Sequence, residues 1–241
     1  MGQYYHTVFL ESDKKTPITY AYAHKVGCGV KLMEHSFIDN PLMNSVLNYM
    51  WENRDSQDFQ IVWAGDYADP EQEIDRTLSD MCEGLQEIPY DTKKSPVRFI
   101  VNHDKKQYID LYSCPDFVGW PAHPLALLTA EGNGRGGGDY KGTNMNLVGA
   151  WSRDSLNVMD SDWDNAEKLH NDGYTELKPD FIEAYELTRT FLKACDALTG
   201  YLGTDDGGMS DSTADEIREQ VKHLSAVLPK KKYPRKKKNT E

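Results

Sequence analysis

Tyr4-Tyr-His-Thr-Val-Phe-Leu10 and Pro17-Ile-Thr-Tyr-Ala-Tyr-Ala23 are two runs of β-branched and aromatic residues, and Ser12-Asp-Lys-Lys15 lies between them. Side chains on a strand alternate between two faces, and a short polar linker with turn chemistry brings two such runs back to back, so this stretch predicts an antiparallel hairpin. Val97-Arg-Phe-Ile-Val-Asn102 and Gln107-Tyr-Ile-Asp-Leu111 repeat the pattern around His103-Asp-Lys-Lys106 and predict a second hairpin. Phe59-Gln-Ile-Val-Trp-Ala64 reads as a further buried strand, stopped by Gly65-Asp-Tyr-Ala-Asp-Pro70.

Helical periodicity separates these strands. Asn40-Pro41 has the form of an N-cap followed by proline at the first helical position, and Met43, Val46, Leu47 and Met50 keep the spacing of a buried stripe to about Asn53. Pro70-Glu-Gln-Glu-Ile-Asp75 places carboxylates where a helix dipole favours them and predicts a helix start, with Asp69 as its cap. Gly27 to Met33 reads as extended, residues 114 to 143 as a long loop-like stretch, and Asn146 to Trp151 as a strand. After Pro179 the pattern is helical, with Phe181, Ile182, Tyr185, Leu192 and Cys195 on one face, and Ile217, Val221, Leu224 and Leu228 stripe a last helix. Hairpins early and helices late predict an α+β fold: a mainly antiparallel sheet with helices packed against it. One domain is expected over 1–228, with a helical subdomain at 178–228, followed by a basic tail over 229–241.

At 241 residues a compact chain has a radius of gyration of roughly 18 Å and buries about 70 to 75 % of its unfolded surface, so a true core is affordable. The apolar runs, of which Pro124-Leu-Ala-Leu-Leu128 is among the longest, fall far short of the roughly 20 residues a membrane span needs. Met1-Gly-Gln-Tyr-Tyr-His6 lacks the charged and apolar regions of a secretory signal, and His6 replaces the serine or threonine of a myristoylation site. Cys28, Cys82, Cys114 and Cys195 are scattered, with neither zinc-ligand nor disulfide-framework spacing, and read as free thiols of a cytoplasmic protein. Seven of the 27 basic residues fall in the tail: Lys230, Lys231, Lys232, Arg235, Lys236, Lys237 and Lys238. The preceding body therefore holds 20 basic against 38 acidic residues, near −18. Such a tail suits nucleic acid or another polyanion, or the acidic body itself.

The segment richest in chemistry is Thr129-Ala-Glu-Gly-Asn-Gly-Arg-Gly-Gly-Gly-Asp-Tyr-Lys-Gly142. Glycine costs conformational entropy but lets a backbone or ligand approach closely. Successive N–H groups over Gly132, Asn133, Gly134, Arg135, Gly136, Gly137 and Gly138 could form a concavity for an anion, with the Arg135 guanidinium gripping a phosphate or carboxylate. Asp139 or Glu131 would then position a sugar hydroxyl or a metal. No Walker lysine follows and no helix start is evident, so neither the Walker nor the dinucleotide pattern fits. His123, held between Pro121 and Pro124, is a candidate acid or base, and Asp66 with Asp69 at a strand end are candidate carboxylates with Mg²⁺ as an eventual cofactor. Bland alternatives stand beside each: a low-complexity surface loop, a hydrogen-bonded loop histidine, a helix cap. Asp160-Ser-Asp-Trp-Asp-Asn165 lacks the glycine and glutamate of a calcium loop and reads as a solvated acidic turn.

Met1-Gly-Gln-Tyr-Tyr5, Lys31-Leu-Met-Glu-His-Ser36, Trp63-Ala-Gly-Asp-Tyr-Ala-Asp69 and Pro124-Leu-Ala-Leu-Leu-Thr-Ala-Glu-Gly-Asn-Gly-Arg-Gly-Gly-Gly-Asp-Tyr140 together resemble an uncharacterised family of bacterial and phage proteins. The resemblance spans roughly residues 1 to 155 and implies a microbial or viral cytoplasmic setting. No activity, cofactor or catalytic residue comes with it. Two functions follow as expectations. One is a binding domain or enzyme for a small anionic, nucleotide-like ligand, as a phosphate-ester hydrolase or transferase using His123, Asp139, Asp66 or Asp69. The other is a non-enzymatic acidic interaction protein, a nucleic-acid mimic of phage or mobile-element type, with a polyanion-binding tail.

Overall fold

The computed structural model describes residues 3–113, 116–117, 120–121, 123–133, 138, 140 and 145–177. The helical segment expected after Pro179 and the basic tail lie outside the described residues.

The first hairpin forms as β1 (Tyr5–Leu10) and β2 (Pro17–Tyr22), antiparallel, with an irregularity between Phe9 and Leu10. Gly27 to Met33 is not extended. Gly27 takes the left-handed φ of 71° to cap a 3-10 turn (Ala23–Val26), and a single helical turn, α1 (Leu32–His35), follows. In α2 (Pro41–Asn53) the Asn40 side chain accepts the N–H groups of Leu42 and Met43, as a capping asparagine should. The outer flank of α2 is also buried: Asn44 donates to the Thr92 carbonyl, and Asn48 to those of Asp91 and Lys93.

Strand β3 (Phe59–Gly65) pairs antiparallel with β1. The expected helix at Pro70 is absent. Glu71 N–H donates to the Arg76 carbonyl, the Glu71 carbonyl accepts from Ile74 and Asp75, and Asp75 sits at φ 55°, so the acidic run folds into a tight loop. Its cause is tertiary, because the Glu71 carboxylate is taken by Arg153. A helix begins only at Thr77, whose hydroxyl caps α3 (Leu78–Met81).

The second hairpin is β4 (Phe99–Asn102) with β5 (Gln107–Asp110). The stretch expected to be loop contains, among its described residues, a two-stranded ribbon of β6 (Asp116–Phe117) and β7 (Trp120–Pro121), the helical turn α4 (Leu125–Leu128), and β8 (Ala130–Glu131). All four side chains of α4 are fully buried. Asn146–Trp151 is not a strand. Gly149 turns the chain at φ 70°, its N–H and that of Trp151 bond the Leu127 and Leu128 carbonyls, and a Cβ at Gly149 would lie 2.7 Å from the Ala130 carbonyl oxygen. The strand comes later, as β9 (Ser155–Met159). The acidic run at 160–165 opens α5 (Trp163–Asn171), and β10 (Thr175–Glu176) ends the described chain.

These strands form an eight-stranded sheet in the order β10-β5-β4-β9-β3-β1-β2, with β8 also paired to β3. All neighbours are antiparallel except β10 on β5 and β8 on β3. The α+β class is therefore as expected. Strand alternation sorts the core. Tyr5, Phe9, Ile61, Trp63, Ile100 and Leu156 face α2 and α4, where Leu42, Val46, Met50 and Leu127 complete the larger cluster. On the opposite face Val8, Val62 and Ala64 lie against Leu78 and Cys82 of the α3 segment, and Phe99 and Val101 against Leu169 of α5. Among the described residues no helix is long and apolar enough to cross a membrane.

Candidate functional site

Strand β3 changes partners along one edge. Its first residues, Phe59 and Gln60, pair with β9, whereas Trp63 and Ala64 pair with β8. Arg153 sits at the exchange, its N–H bonded to the Ile61 carbonyl and its backbone held at φ 62°. A side chain with a Cβ is disfavoured there, so the surroundings must hold it in place. Its guanidinium does so. Nε donates to Glu131 Oε1 at 2.7 Å, Nη1 to the Lys14 carbonyl at 3.1 Å and to Glu71 Oε2 at 3.2 Å, and Nη2 to Glu71 Oε1 and to Glu131 Oε2. Five donors and five acceptors leave the group saturated. The hydrogen bonds it donates to Glu131 and then to Glu71 raise the Arg153 pKa despite its burial. Glu131 further accepts the Ser152 hydroxyl.

This knot forms one wall of a cavity of about 460 Å³, which Lys15, Asp69, Glu73, Ala130 and Gly132 also line. Four carboxylates (Asp69, Glu71, Glu73, Glu131) face two cations there, and one of the two, Arg153, has no donor left. Asp69 and Glu73 are exposed and engage no donor among the described residues. The described wall therefore suits a hydroxyl or a cationic group.

Glu131 and Gly132 are also where the glycine-rich loop begins. A Cβ at Gly132 would lie 2.5 Å from Gln3 Oε1, and one at Gly65 would lie 2.4 Å from Gln3 Nε2, so the Gln3 side chain is sandwiched between the end of β3 and the start of the loop. Tyr5 donates its hydroxyl to Gln3 Oε1 at 2.9 Å, and the same hydroxyl occupies the space a Cβ at Gly138 would need, 2.7 Å away, where φ is 54°. Gln3 Nε2 is buried with no hydrogen-bond partner among the described residues. Part of the loop's glycine content thus has a packing cause. The Met-Gly-Gln-Tyr-Tyr opening, the Trp-Ala-Gly-Asp segment and the loop, remote in sequence, meet at this point. Asn133 is exposed beside it; Gly134, Arg135, Gly136, Gly137 and Asp139 lie outside the described residues.

The remaining predicted residues are dispersed. Asp69 lies in the cavity wall, whereas Asp66 accepts the Tyr4 N–H at 3.0 Å and is not among the lining residues. His123 is 1 % exposed and also away from the wall. Its Nδ1 accepts the Leu125 N–H at 3.3 Å, and burial drives its pKa down to about 3, so the ring stays neutral. His35, equally buried, is held at about 4, chiefly by desolvation. No cluster of three or more metal-ligating His, Cys, Asp or Glu side chains occurs among the described residues. Arg153 and Glu71 escaped sequence reasoning, since a lone arginine in a turn and a glutamate in an acidic run carry no local sign that they will meet. Comparison with protein-family models, curated proteins and solved structures finds no match to this chain.

Proposed function

We propose that this chain binds a small nucleotide-like ligand in the cavity at Gly132. The observation that carries the proposal is that the first residues of the glycine-rich loop, Glu131 and Gly132, form part of the wall of a cavity whose volume falls within the roughly 300 to 1,000 Å³ of small-molecule sites. The cavity also lies where β3 exchanges one partner strand for another, a place at which a sheet leaves side chains and loops unpaired. Asp69 and Glu73 are suited to hydroxyl or amine groups of the ligand. Its anionic part would fall to the loop beyond Asn133, where the sequence sets Arg135 among glycines. Of His123, Asp66 and Asp69, only Asp69 is in the wall, so among the described candidates a hydrolase or transferase step would draw its base from Asp69.

Thermal-shift and calorimetric titration with nucleotides and the matching nucleosides, with and without Mg²⁺, tests the proposal. At a ligand concentration 100 times Kd the native state gains about 2.7 kcal/mol, a readable shift. Arg135→Ala should abolish it for nucleotides, and Asp69→Asn should weaken it for nucleosides and nucleotides alike. Silence across the panel overturns the proposal.

A second reading is favoured by the excess of carboxylates over available cations at the same place: a non-enzymatic acidic protein that docks a basic partner, its own basic tail reaching a polyanion. Co-purification of a basic macromolecule that is lost between 50 and 200 mM salt, with no small-molecule shift, would distinguish it.

A further inference from the structure

A second cavity, of about 400 Å³, lies between the end of α2, the β4–β9 pair and α5, and shares no wall residue with the first. Val101 and Leu169 give it an apolar floor, and His103 and Tyr174 stand in its wall. These two side chains belong to a continuous polar chain. Lys106 Nζ lies 3.2 Å from the Tyr174 hydroxyl, which lies 2.7 Å from His103 Nδ1. The other ring nitrogen, Nε2, is 3.5 Å from Asp58 Oδ1. Asp58 is itself oriented by Asn157 Nδ2 at 2.8 Å and the Ser155 hydroxyl at 3.1 Å.

The proton positions follow from the partners. An ionised Asp58 only accepts, so it favours the proton on His103 Nε2 and leaves Nδ1 to accept from the Tyr174 hydroxyl, while Lys106 donates to the phenol oxygen. A hydroxyl, a base within hydrogen-bond reach of it and a carboxylate within ion-pair range of the base are the parts of an activated nucleophile, here with an ammonium beside the oxygen where negative charge would develop. The backbone is shaped to bring them together: Lys106 closes the β4–β5 turn at φ 52°, and Gly173, at φ 82°, ends α5 and delivers Tyr174. A purely structural tie between α5 and the hairpin would be served by a Tyr174–Lys106 contact alone. It would not require an oriented imidazole between the phenol and a carboxylate.

We propose that this cavity is a reactive site in which Tyr174 is the reacting phenol, His103 its base, Asp58 the positioning residue for His103 and Lys106 the stabiliser of the phenolate. It would take a small uncharged ligand bearing a hydroxyl or an electrophilic centre. Arg54 and Lys168 share its rim with four carboxylates, Asp55, Asp160, Asp162 and Asp172, so the rim disfavours an anionic ligand. With an electrophile the balance is complete: the phenol O–H bond breaks, His103 Nδ1 gains the proton, and the oxygen forms the new bond as the leaving group departs with its electron pair.

The test uses benzenesulfonyl fluoride on the full chain, with peptide mapping of the tyrosines modified over time; oxygen–sulfur bond formation expels fluoride. Tyr174 is 9 % exposed, against 47 % for Tyr4, 50 % for Tyr67 and 66 % for Tyr112, so exposure alone ranks it behind these three. The expected result is labelling of Tyr174 about 100-fold faster than Tyr112, the lower end of what a positioned base contributes. His103→Asn should remove that advantage, and the exposed-site variant Asp58→Asn should reduce it while the melting curve stays cooperative. Labelling in the order of exposure, or an unchanged Tyr174 rate in a folded His103→Asn or Asp58→Asn protein, overturns the proposal. The wild-type competition decides even if a variant does not fold.

Discussion

The indole N–H of Trp63 donates to Nε2 of His35 at 2.9 Å, and both side chains are fully buried. With Nδ1 facing the Gly29 carbonyl at 2.9 Å, the ring is left as the neutral tautomer that carries its proton on Nδ1. This imidazole ties α1 to the central strand.

Replacing His35 by alanine leaves the Trp63 indole N–H and the Gly29 carbonyl without their partner and opens a void. A loss of about 2 to 4 kcal/mol is expected in urea unfolding at pH 7, from unsatisfied buried groups and a cavity. Replacement by glutamine, which can both donate and accept, should recover part of that loss.

His35 and His123 make the fold acid-sensitive in a defined window. Their folded pKa values, about 4 and about 3, lie below the ordinary histidine value of 6.5. Between those limits the unfolded chain binds protons that the native chain does not, so stability falls as pH drops below about 6.5. The fall levels off only once the native imidazoles also take up protons, near pH 4 and pH 3. Each ring contributes a slope of roughly 1.4 kcal/mol per pH unit inside its window. Urea midpoints at pH 7, 6 and 5 measure it, and a folded His35→Gln protein should show a shallower decline.

Arg153 holds Glu71 and Glu131 together, and its side chain is 24 % exposed. Arg153→Lys keeps the charge but loses the fork that bonds two carboxylates and a carbonyl at once. A loss of roughly 2 kcal/mol is expected, less than for a fully buried pair because solvent screens the exposed part. The cavity loop at 70–76 should become the first segment to exchange amide hydrogens. Unchanged exchange there would show that the knot does not hold the loop.

Gly132→Ala should destabilise by about 1 to 3 kcal/mol, because its Cβ would overlap the Gln3 carboxamide. Gln3→Ala should remove most of that penalty when the two are combined. Strict additivity in the double-mutant cycle would show that the two residues are not in contact.

Burial pushes the Cys82 thiol up to about 12, with the Asp80 carboxylate adding to the effect. Iodoacetamide should leave Cys82 unmodified in the native protein and alkylate it only after unfolding, as mass spectrometry of peptides would show.

What was legible in the sequence was whatever neighbours along the chain decide. Both hairpins, the strand at 59–65 and the helix from Pro41 to Asn53 announce themselves through two-residue or 3.6-residue periodicity and through Asn40-Pro41 as a cap. At Pro70 the same kind of evidence misled, because a favourable helix-dipole interaction of Glu71 is smaller than a two-pronged ion pair with Arg153. At Asn146–Trp151 the β-like composition was overruled by the turn at Gly149, whose φ of 70° and close approach to the Ala130 carbonyl leave no room for a Cβ.

The amino-acid order by itself determined the α+β class, the charge imbalance and the presence of a glycine-rich segment with one arginine. It did so because propensity, periodicity and composition are local or additive properties. Only the tertiary structure decided that Gln3 and Tyr5 fill the space beside Gly132 and Gly138, that Arg153 is saturated by Glu71 and Glu131, and that His103 stands between Tyr174 and Asp58. Each of those relations joins residues brought together by strand pairing across the sheet, and side-chain hydrogen bonds and van der Waals contacts act only at a few ångströms, a distance that no spacing along the chain encodes.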